Sequence, residues 1–255
     1  MQLAFGAGDL FAVPLYDAQG NAISNPTPIR IGAMQEMSLD FSGDLKELYG
    51  SKQFALTVAR GKVKTTGKFK GAQIHGAALN SLFFGTGVTA GTMQAINTDD
   101  VGTVIPATPF TITVTPPSSG TFIDDMGVLD SNAVPMTRVA SAPATGQYSV
   151  AAGVYTFAAA DTGKKVYISY RYSYAAAGAK RITMTNVAMG QAPALKVFMQ
   201  TTYQAKRSLV ILESVVSTKL QLLSTKLDDF NIPSFDFSAN ADASGTTLGD
   251  IYVQE

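Results

Sequence analysis

The chain has 255 residues, 15% of them charged, and its 19 acidic residues balance its 19 basic residues. Balanced charge excludes a strong overall attraction to nucleic acid or to an anionic membrane, and it favours self-association. The sequence has no cysteine, which excludes disulfides, thiolate catalysis and zinc–thiolate sites.

The first sixty residues predict short strands separated by turns. Residues 11–16 form the first expected strand, the turn at 17–21 ends it, and residues 29–31 and 34–41 form two more. The segment GDLKELYGSK, residues 43–52, has too few apolar positions for a stable helix. It is therefore expected to be a loop with a helical turn.

A strand and the one expected helix follow. Phe54, Leu56 and Val58 share one strand face. The segment IHGAALNSLFFG, residues 74–85, has an apolar stripe at helical spacing and ends at Gly85. Residues 86–105 are rich in Gly, Thr and Asp and are expected to be a linker.

The middle of the chain predicts a small β unit. Short strands are expected from about residue 108 to 174, with a three-residue hairpin loop at 150–154 in which Gly153 is left-handed. Between 165 and 174, apolar and aromatic residues alternate with others, which predicts one buried and one solvated face. The small residues of AAAGAK, 175–180, are expected to form a second linker.

Long strands are expected in the last third, at 182–188, 195–203 and 209–223, the last of these as two strands. Phe235 and Phe237 mark another, and the turn at 242–245 leads to a final strand at 248–253. One helix among many strands predicts a mainly β fold, an antiparallel barrel or sandwich.

No motif indicates catalysis. Residues 61–69, GKVKTTGKF, lack the spacing and the Ser or Thr of a phosphate-binding loop. His75 is the only histidine, and we interpret it as structural. The acidic pairs at 99–100, 124–125 and 228–229 lack calcium-loop spacing and are interpreted as turns and solvated edges. We therefore expect no enzyme activity, catalytic residue, metal or cofactor.

No segment predicts membrane insertion or export. No apolar run approaches the roughly 18 residues that a spanning helix needs. The first residues lack a basic region and reach Asp9 early, so they match a signal peptide poorly.

Five basic residues fall on even positions, so an extended strand would present them on one face. These residues are Arg60, Lys62, Lys64, Lys68 and Lys70. One interpretation is an electrostatic contact with a polyanion or, preferably, with an acidic neighbouring subunit. The other is a solvated edge strand whose lysines block aggregation. A grip on DNA is less favoured because aromatic stacking partners are missing.

The order of features in residues 1–90 and 180–255 resembles the tail tube proteins of long-tailed bacteriophages. The resembling segments are ELYGSKQFALTVARGKVKTTGKFKGAQIHGAALNSLFFG (47–85) and KLDDFNIPSFDFSANADASGTTLGDIYVQE (226–255). The middle segment is similar to the β-rich, Ig-like inserts of phage structural proteins. The division implied is a discontinuous tail tube domain, 1–104 with 179–255, and an inserted domain, 105–178.

The resemblance implies a β-barrel or sandwich protomer with one flanking helix. Six copies would close a ring, edge strands would join between copies, and rings would stack into a tube that conducts the genome during ejection. The implied partners are further copies, the tape measure, terminator and distal tail proteins, and double-stranded DNA passing without sequence-specific binding. No membrane partner is implied. The implied location is the virion tail, after assembly in the host cytoplasm.

The resemblance also implies roles for particular residues. Contacts between rings are expected from Asp44, Leu45, Lys46, Glu47, Leu48, Tyr49 and Lys52. On 209–223 the even positions Val210, Leu212, Val216, Leu220 and Leu222 are expected in the core. The odd positions Glu213, Ser217, Lys219 and Gln221 are candidates for the lumen.

The inserted domain is expected on the outer wall of the tube. Six copies in the lumen would block it, and copies at the ring faces would hold rings apart. A knob on every subunit would obstruct a sheath, which predicts a non-contractile tail. Tyr167 or Arg171 would then be positioned to touch host surfaces.

Three alternatives remain open from sequence. The protein could be another phage structural part, such as a tail terminator, baseplate or head-decoration protein. It could be a secretion-system tube subunit of similar shape. It could also be a β-sandwich carbohydrate-binding module or enzyme, although the absence of tryptophan disfavours sugar binding.

Overall fold

The protein is built mainly from β-strands, as the sequence predicts. The computed structural model describes residues 8–32, 34–72, 76–225, 227–228 and 230–254, apart from the side chain of Ala77. It is 57% strand and 6% helix. The predictions for Ile74, His75 and Asp229 lie outside the described residues.

The chain divides into two compact units. Unit 1 comprises Met1–Val88 with Ile182–Glu255, and unit 2 comprises Thr89–Arg181. The strands are β1 (Asp9–Tyr16), β2 (Ile29–Ile31), β3 (Met34–Tyr49), β4 (Ala55–Gly71), β5 (Val88–Asn97), β6 (Thr103–Val104), β7 (Thr111–Thr113), β8 (Thr121–Asp130), β9 (Thr137–Arg138), β10 (Gln147–Ala151), β11 (Val154–Phe157), β12 (Lys165–Ile182), β13 (Ala194–Tyr203), β14 (Lys206–Gln221), β15 (Ser234–Asn240) and β16 (Gly249–Val253).

Unit 1 contains one eight-stranded sheet. Its order is β2-β1-β13-β14-β15-β4-β3, and β16 pairs with β14 beyond the end of β15. All of these pairs are antiparallel. The edge strands β2 and β3 are joined by residues 32–33 alone, a span of at most about 11 Å between Ile31 and Met34. The sheet therefore curls until its two edges approach each other at that end.

The core of unit 1 lies on the inner side of this curled sheet. It includes Leu10, Val197, Leu212, Phe69 and Phe237, each at most 3% exposed. Side chains of the two edge strands, β2 and β3, also contact this core. Burial of apolar residues from seven strands in one cluster stabilises the curled sheet, since each buried aliphatic or aromatic side chain contributes about 1.5–3 kcal/mol.

The expected helix is present, as a short helical segment that packs on this core. A turn of α-helix α1 (Gly76–Leu79) continues as a π-helical turn (Asn80–Phe84). Ala78 and Leu82 are buried in the core cluster. Gly85 ends the segment with φ of 59°, in the left-handed region that favours glycine, which confirms the sequence prediction.

Strand β14 is a single strand with two bulges, where two strands were expected. Opposite β13, two residues of β14 face Lys196, and a second register shift lies between Ser217 and Lys219. Each bulge shifts the alternation of faces by one residue. Leu212 is buried as expected, but the next buried residue is Val215 rather than Val216.

Unit 2 packs two sheets around its own core. One sheet contains β5, β12, β6 and β8, and the other has the order β7-β11-β10-β9. Tyr148, Tyr155, Val166, Ile168 and Tyr170 are buried between them. The expected alternation along 165–174 is confirmed for Val166, Ile168 and Tyr170, which are buried.

Several segments differ from the sequence prediction. Residues 88–97 form β5, and 175–180 belong to the end of β12, where linkers were expected. The strand expected at 182–188 is absent, since β12 ends at Ile182. Small polar residues form these strands because β5 and β12 satisfy each other's backbone hydrogen bonds.

The hairpin at 150–154 has a two-residue loop, one residue shorter than expected. Ala151 pairs with Val154, and Ala152 and Gly153 both have positive φ, 49° and 85°. Two positive φ values define the turn whose twist suits a two-residue hairpin. The left-handed conformation of Gly153 is confirmed.

Candidate assembly interface

A two-stranded ribbon extends beyond the sheet of unit 1. β3 and β4 pair from Met34↔Gly71 to Tyr49↔Ala55, but β15 pairs with β4 only between Thr65 and Lys70. In the described part of the chain, no third strand pairs with β4 from Ala55 to Lys64, and β3 pairs with β4 alone. Residues 43–49, expected to be a loop, therefore form the outer part of β3.

Apolar side chains are exposed on this ribbon. The exposed ones are Phe41, Leu45, Leu48, Tyr49, Phe54, Leu56, Val58 and Val63. Phe54 is 86% exposed and Leu56 71%. An isolated two-stranded ribbon is marginally stable in water, and clustered exposed apolar residues mark an interaction surface. The ribbon thus combines free strand edges with apolar side chains that another molecule could cover.

The residues expected to contact a neighbouring ring lie on this ribbon. Asp44 to Tyr49 form the last part of β3, and Lys52 lies in the turn that follows. All of them are exposed. The hydroxyl of Tyr49 donates a hydrogen bond to the Glu47 carboxylate, which raises the pKa of Tyr49. Apart from this contact, these side chains are directed to solvent in the single chain.

A bulge divides the five basic residues between two faces. The register passes from Gly43↔Val63 to Leu45↔Arg60, so β4 has one extra residue there. A Cβ placed on Gly43 would lie 3.1 Å from Nε of Arg60, so Arg60 lies on the side of Gly43. Arg60 is thus on the opposite face from Lys62 and its even-numbered neighbours, contrary to the prediction of one shared face.

The side of the unit 1 sheet opposite the core carries many charged side chains, and we call it the polar face, although Phe11, Phe198 and Ile211 also lie there. Strand alternation and register place there Glu36, Asp40, Lys64, Lys68, Lys70, Lys196, Glu213, Lys219 and Asp236. Lys196 Nζ lies 2.7 Å from Glu213 Oε1. Lys70 forms an ion pair with Glu36 and lowers the pKa of that carboxyl. Charges of both signs therefore alternate across this face.

The four candidate lumen residues do not share one face. Glu213, Lys219 and Gln221 lie on the side of the polar face. Ser217 lies opposite Phe237, and its hydroxyl is buried without a hydrogen-bond partner in the described structure. The bulge after Ser217 accounts for this difference, since it reverses the face of the residues that follow.

In unit 2, the residues expected to touch host surfaces are partly engaged within the chain. Arg171 forms an ion pair with Asp124 and donates a hydrogen bond to Gln94 at 3.4 Å. The Lys165 ammonium lies 5.7 Å from the ring centre of Tyr167. Both Arg171 and Tyr167 are half-buried.

One acidic residue interpreted as solvated is buried. The side chain of Asp125 is 4% exposed and accepts hydrogen bonds from the hydroxyls of Tyr148 at 2.7 Å and Tyr155 at 2.9 Å. Burial and the Asp125 carboxylate raise the pKa of both tyrosines. No local pattern signals this network, because its members are far apart in sequence.

The cavities offer little for chemistry. A groove of about 360 Å³ in unit 1 runs past Pro14, Ile29 and Ser81, and one of equal size in unit 2 includes Asp130, Asp161 and Lys164. Both carboxylate oxygens of Asp161 accept hydrogen bonds, one from the Lys164 ammonium and one from the Gly146 amide. Among the described residues, no group of three or more acidic or histidine side chains could hold a metal ion.

No family model matches the sequence, and no match was found among curated proteins. Within the described residues, no helix is long and apolar enough to cross a membrane.

The length of the ribbon is the feature of the candidate interface that sequence reasoning missed. One sequence signal was the run of basic residues at even positions from Arg60 to Lys70, which is typical of a long extended strand, and the backbone groups of such a strand need a partner. Leu39, Phe41, Leu45 and Tyr49 also continue one apolar alternation through the supposed loop.

Proposed function

We propose that this protein is the structural subunit of a bacteriophage tail tube. Copies assemble into rings, expected to be hexameric, and the rings stack into a hollow tube that conducts double-stranded DNA. The tube contacts the tape measure, terminator and distal tail proteins, and it belongs to the virion. The basis is the sequence resemblance together with the surfaces described above.

The observation that supports this proposal most is the exposed ribbon. Within the described structure, its strands leave a row of unpaired backbone groups on both edges, and such edges are sites where another chain can pair. Eight apolar side chains on the same ribbon are also exposed. Pairing with further copies satisfies both features at once, and closure of a ring leaves no edge free.

The polar face suits the lining of a DNA channel. A purely basic face would hold the polyanion, whereas charges of both signs leave little net attraction. The ion pairs Lys196–Glu213 and Lys70–Glu36 keep neighbouring charges neutralised. DNA can then pass this surface without being retained.

Unit 2 is proposed to decorate the outside of the tube. A unit of this size inside the lumen would obstruct DNA, and one on every subunit would obstruct a contractile sheath. A non-contractile tail follows from this placement.

Electron microscopy of purified protein tests the proposal. Concentrated protein, seeded with tail tips if nucleation is slow, should form tubes of uniform bore that sediment rapidly. Single rings would favour a terminator or baseplate role instead. A protein that stays monomeric at high concentration with seeds present would contradict self-assembly altogether.

A further inference from the structure

The two edges of the ribbon carry opposite charge. The free edge of β3, which we call the acidic edge, holds Asp44 and Glu47 in the ribbon, and Glu36 and Asp40 where β4 is also paired with β15, against the single cation Lys46. The free edge of β4 from Ala55 to Lys64, which we call the basic edge, holds Arg60, Lys62 and Lys64. No acidic residue occurs anywhere in β4.

These charges are scarcely neutralised within one chain. Across the ribbon, Asp40 faces Thr66, Glu47 faces Val58 and Lys64 faces Ser42. In the described structure, Glu36 is the only charged residue of either edge that has an ion-pair partner. The exposed charges of both edges are therefore available to another molecule.

We propose that the acidic edge of one copy pairs with the basic edge of the next copy as adjacent β-strands. The proposal rests on the tube function, because its partner is a second copy of this chain. Strand pairing satisfies the free backbone groups of both edges, and the opposite charges favour this arrangement over acidic–acidic or basic–basic pairing.

This pairing has a consequence for assembly. The two paired surfaces are different, so a pair of copies still has one free acidic edge and one free basic edge. Contacts of this head-to-tail kind close into rings or continue as filaments, and they do not stop at a dimer. The charge asymmetry of a single hairpin thereby sets the direction of the ring.

A charge exchange tests the pairing. The double variant Lys62→Glu/Lys64→Glu makes both edges acidic, and Asp40→Lys/Asp44→Lys makes both edges basic. Each variant alone should show at least a tenfold loss of sedimenting assembly. An equal mixture should assemble again, because acidic and basic copies can alternate. Lys165→Glu/Lys180→Glu, at exposed positions of unit 2, matches the first charge change and should assemble like the wild type.

The outcomes separate this inference from the proposed function. If wild-type tubes form and either charge variant assembles equally well, or the mixture fails to assemble, the edge pairing is wrong while the tube function stands. If wild-type protein never assembles with seeds, both are wrong. Amide hydrogen exchange of wild-type assemblies tests the edge pairing without any substitution. Backbone amides of residues 42–48 and 57–63 should become protected on assembly, and their continued rapid exchange would overturn the pairing.

Discussion

At the scale of single residues, Asp125 is a buried carboxylate of unit 2 that is held by several partners. Its carboxylate accepts hydrogen bonds from Tyr148, Tyr155 and the Gly127 amide, and Arg138 lies 3.6 Å away. A buried carboxylate depends on such partners, because an unpaired charge in the interior is strongly unfavourable. The two tyrosine hydroxyls therefore hold the sheets of unit 2 together through one carboxylate.

Removal of one of these hydroxyls should destabilise unit 2. We expect Tyr155→Phe to lower the free energy of unfolding by about 1.5–3 kcal/mol, the usual contribution of a hydrogen bond to a charged group. Tyr167→Phe, on a half-buried hydroxyl, is the matched control and should change it by less than about 0.5 kcal/mol. Urea unfolding followed by circular dichroism at pH 7 measures both. Equal effects of the two variants would contradict the role of the network.

The same tyrosines predict a response to alkaline pH. Their pKa values are raised in the folded state, so their contribution is complete below the unfolded pKa, about 10. It is lost as pH rises above that value, with a slope of up to about 1.4 kcal/mol per pH unit for each tyrosine. The unfolding free energy should fall with pH between 9 and 11.5 in the wild type. In Tyr155→Phe this fall should be less steep by that amount. An unchanged slope would show that Tyr155 does not titrate on unfolding.

A third residue-scale prediction concerns a close approach in unit 1. A Cβ on Gly67 would lie 2.2 Å from the ring of Phe237 and 2.7 Å from the Ser38 carbonyl oxygen. Gly67→Ala should therefore destabilise unit 1 by about 1–3 kcal/mol through overpacking. Gly87→Ala is the control, since a Cβ there meets nothing within 4 Å. Thermal unfolding should separate the two variants, and Phe237→Leu added to Gly67→Ala should recover part of the loss.

At the scale of elements, we predict that the ribbon is dispensable for folding and required for the proposed assembly. The core cluster of unit 1 contains no residue from the outer ribbon, 45–60. Replacement of 45–60 by an Asn-Gly turn should leave the unfolding free energy of unit 1 within about 1 kcal/mol, because no buried contact is lost. Sedimentation should show that assembly is abolished. Tubes of normal length from the shortened protein would refute the role of the ribbon.

The apolar residues of the ribbon can be tested without shortening it. Leu48→Ser/Leu56→Ser replaces two exposed apolar side chains and should weaken assembly, because their burial between copies is lost. Val101→Ser/Val104→Ser, equally exposed in unit 2, is the matched control. Comparable losses in both variants would mean that general surface hydrophobicity, rather than the ribbon, drives association.

At the scale of the whole molecule, unit 2 should be removable. The chain leaves and re-enters unit 1 at neighbouring points, since the Thr86 hydroxyl donates a hydrogen bond to the Thr183 carbonyl at 3.2 Å. Joining Val88 to Ile182 by a short Gly/Ser linker excises Thr89–Arg181. This boundary replaces the one expected from sequence, because β5 and the end of β12 are strands rather than linkers.

The excised protein should fold and assemble into tubes of the same bore, because the core of unit 1 and the ribbon are intact. Circular dichroism and electron microscopy measure the two properties separately. A folded protein that no longer assembles would show that unit 2 contributes to the contacts between copies. Loss of folding would show that the two units are not independent.

The sequence by itself determined the features that depend on local chemistry. Asp17 and Asp242 accept backbone hydrogen bonds in the turns expected there, and Gly85 ends the helical segment. The mainly β class follows in the same way, since alternation and turn residues act over a few positions. Only the tertiary structure decided the bulges of β14, the burial of Asp125 and the length of the ribbon. Each depends on which distant strand lies alongside. The neighbouring strands select Val215 over Val216 for the core, and among the described strands they leave β3 with β4 as its one partner.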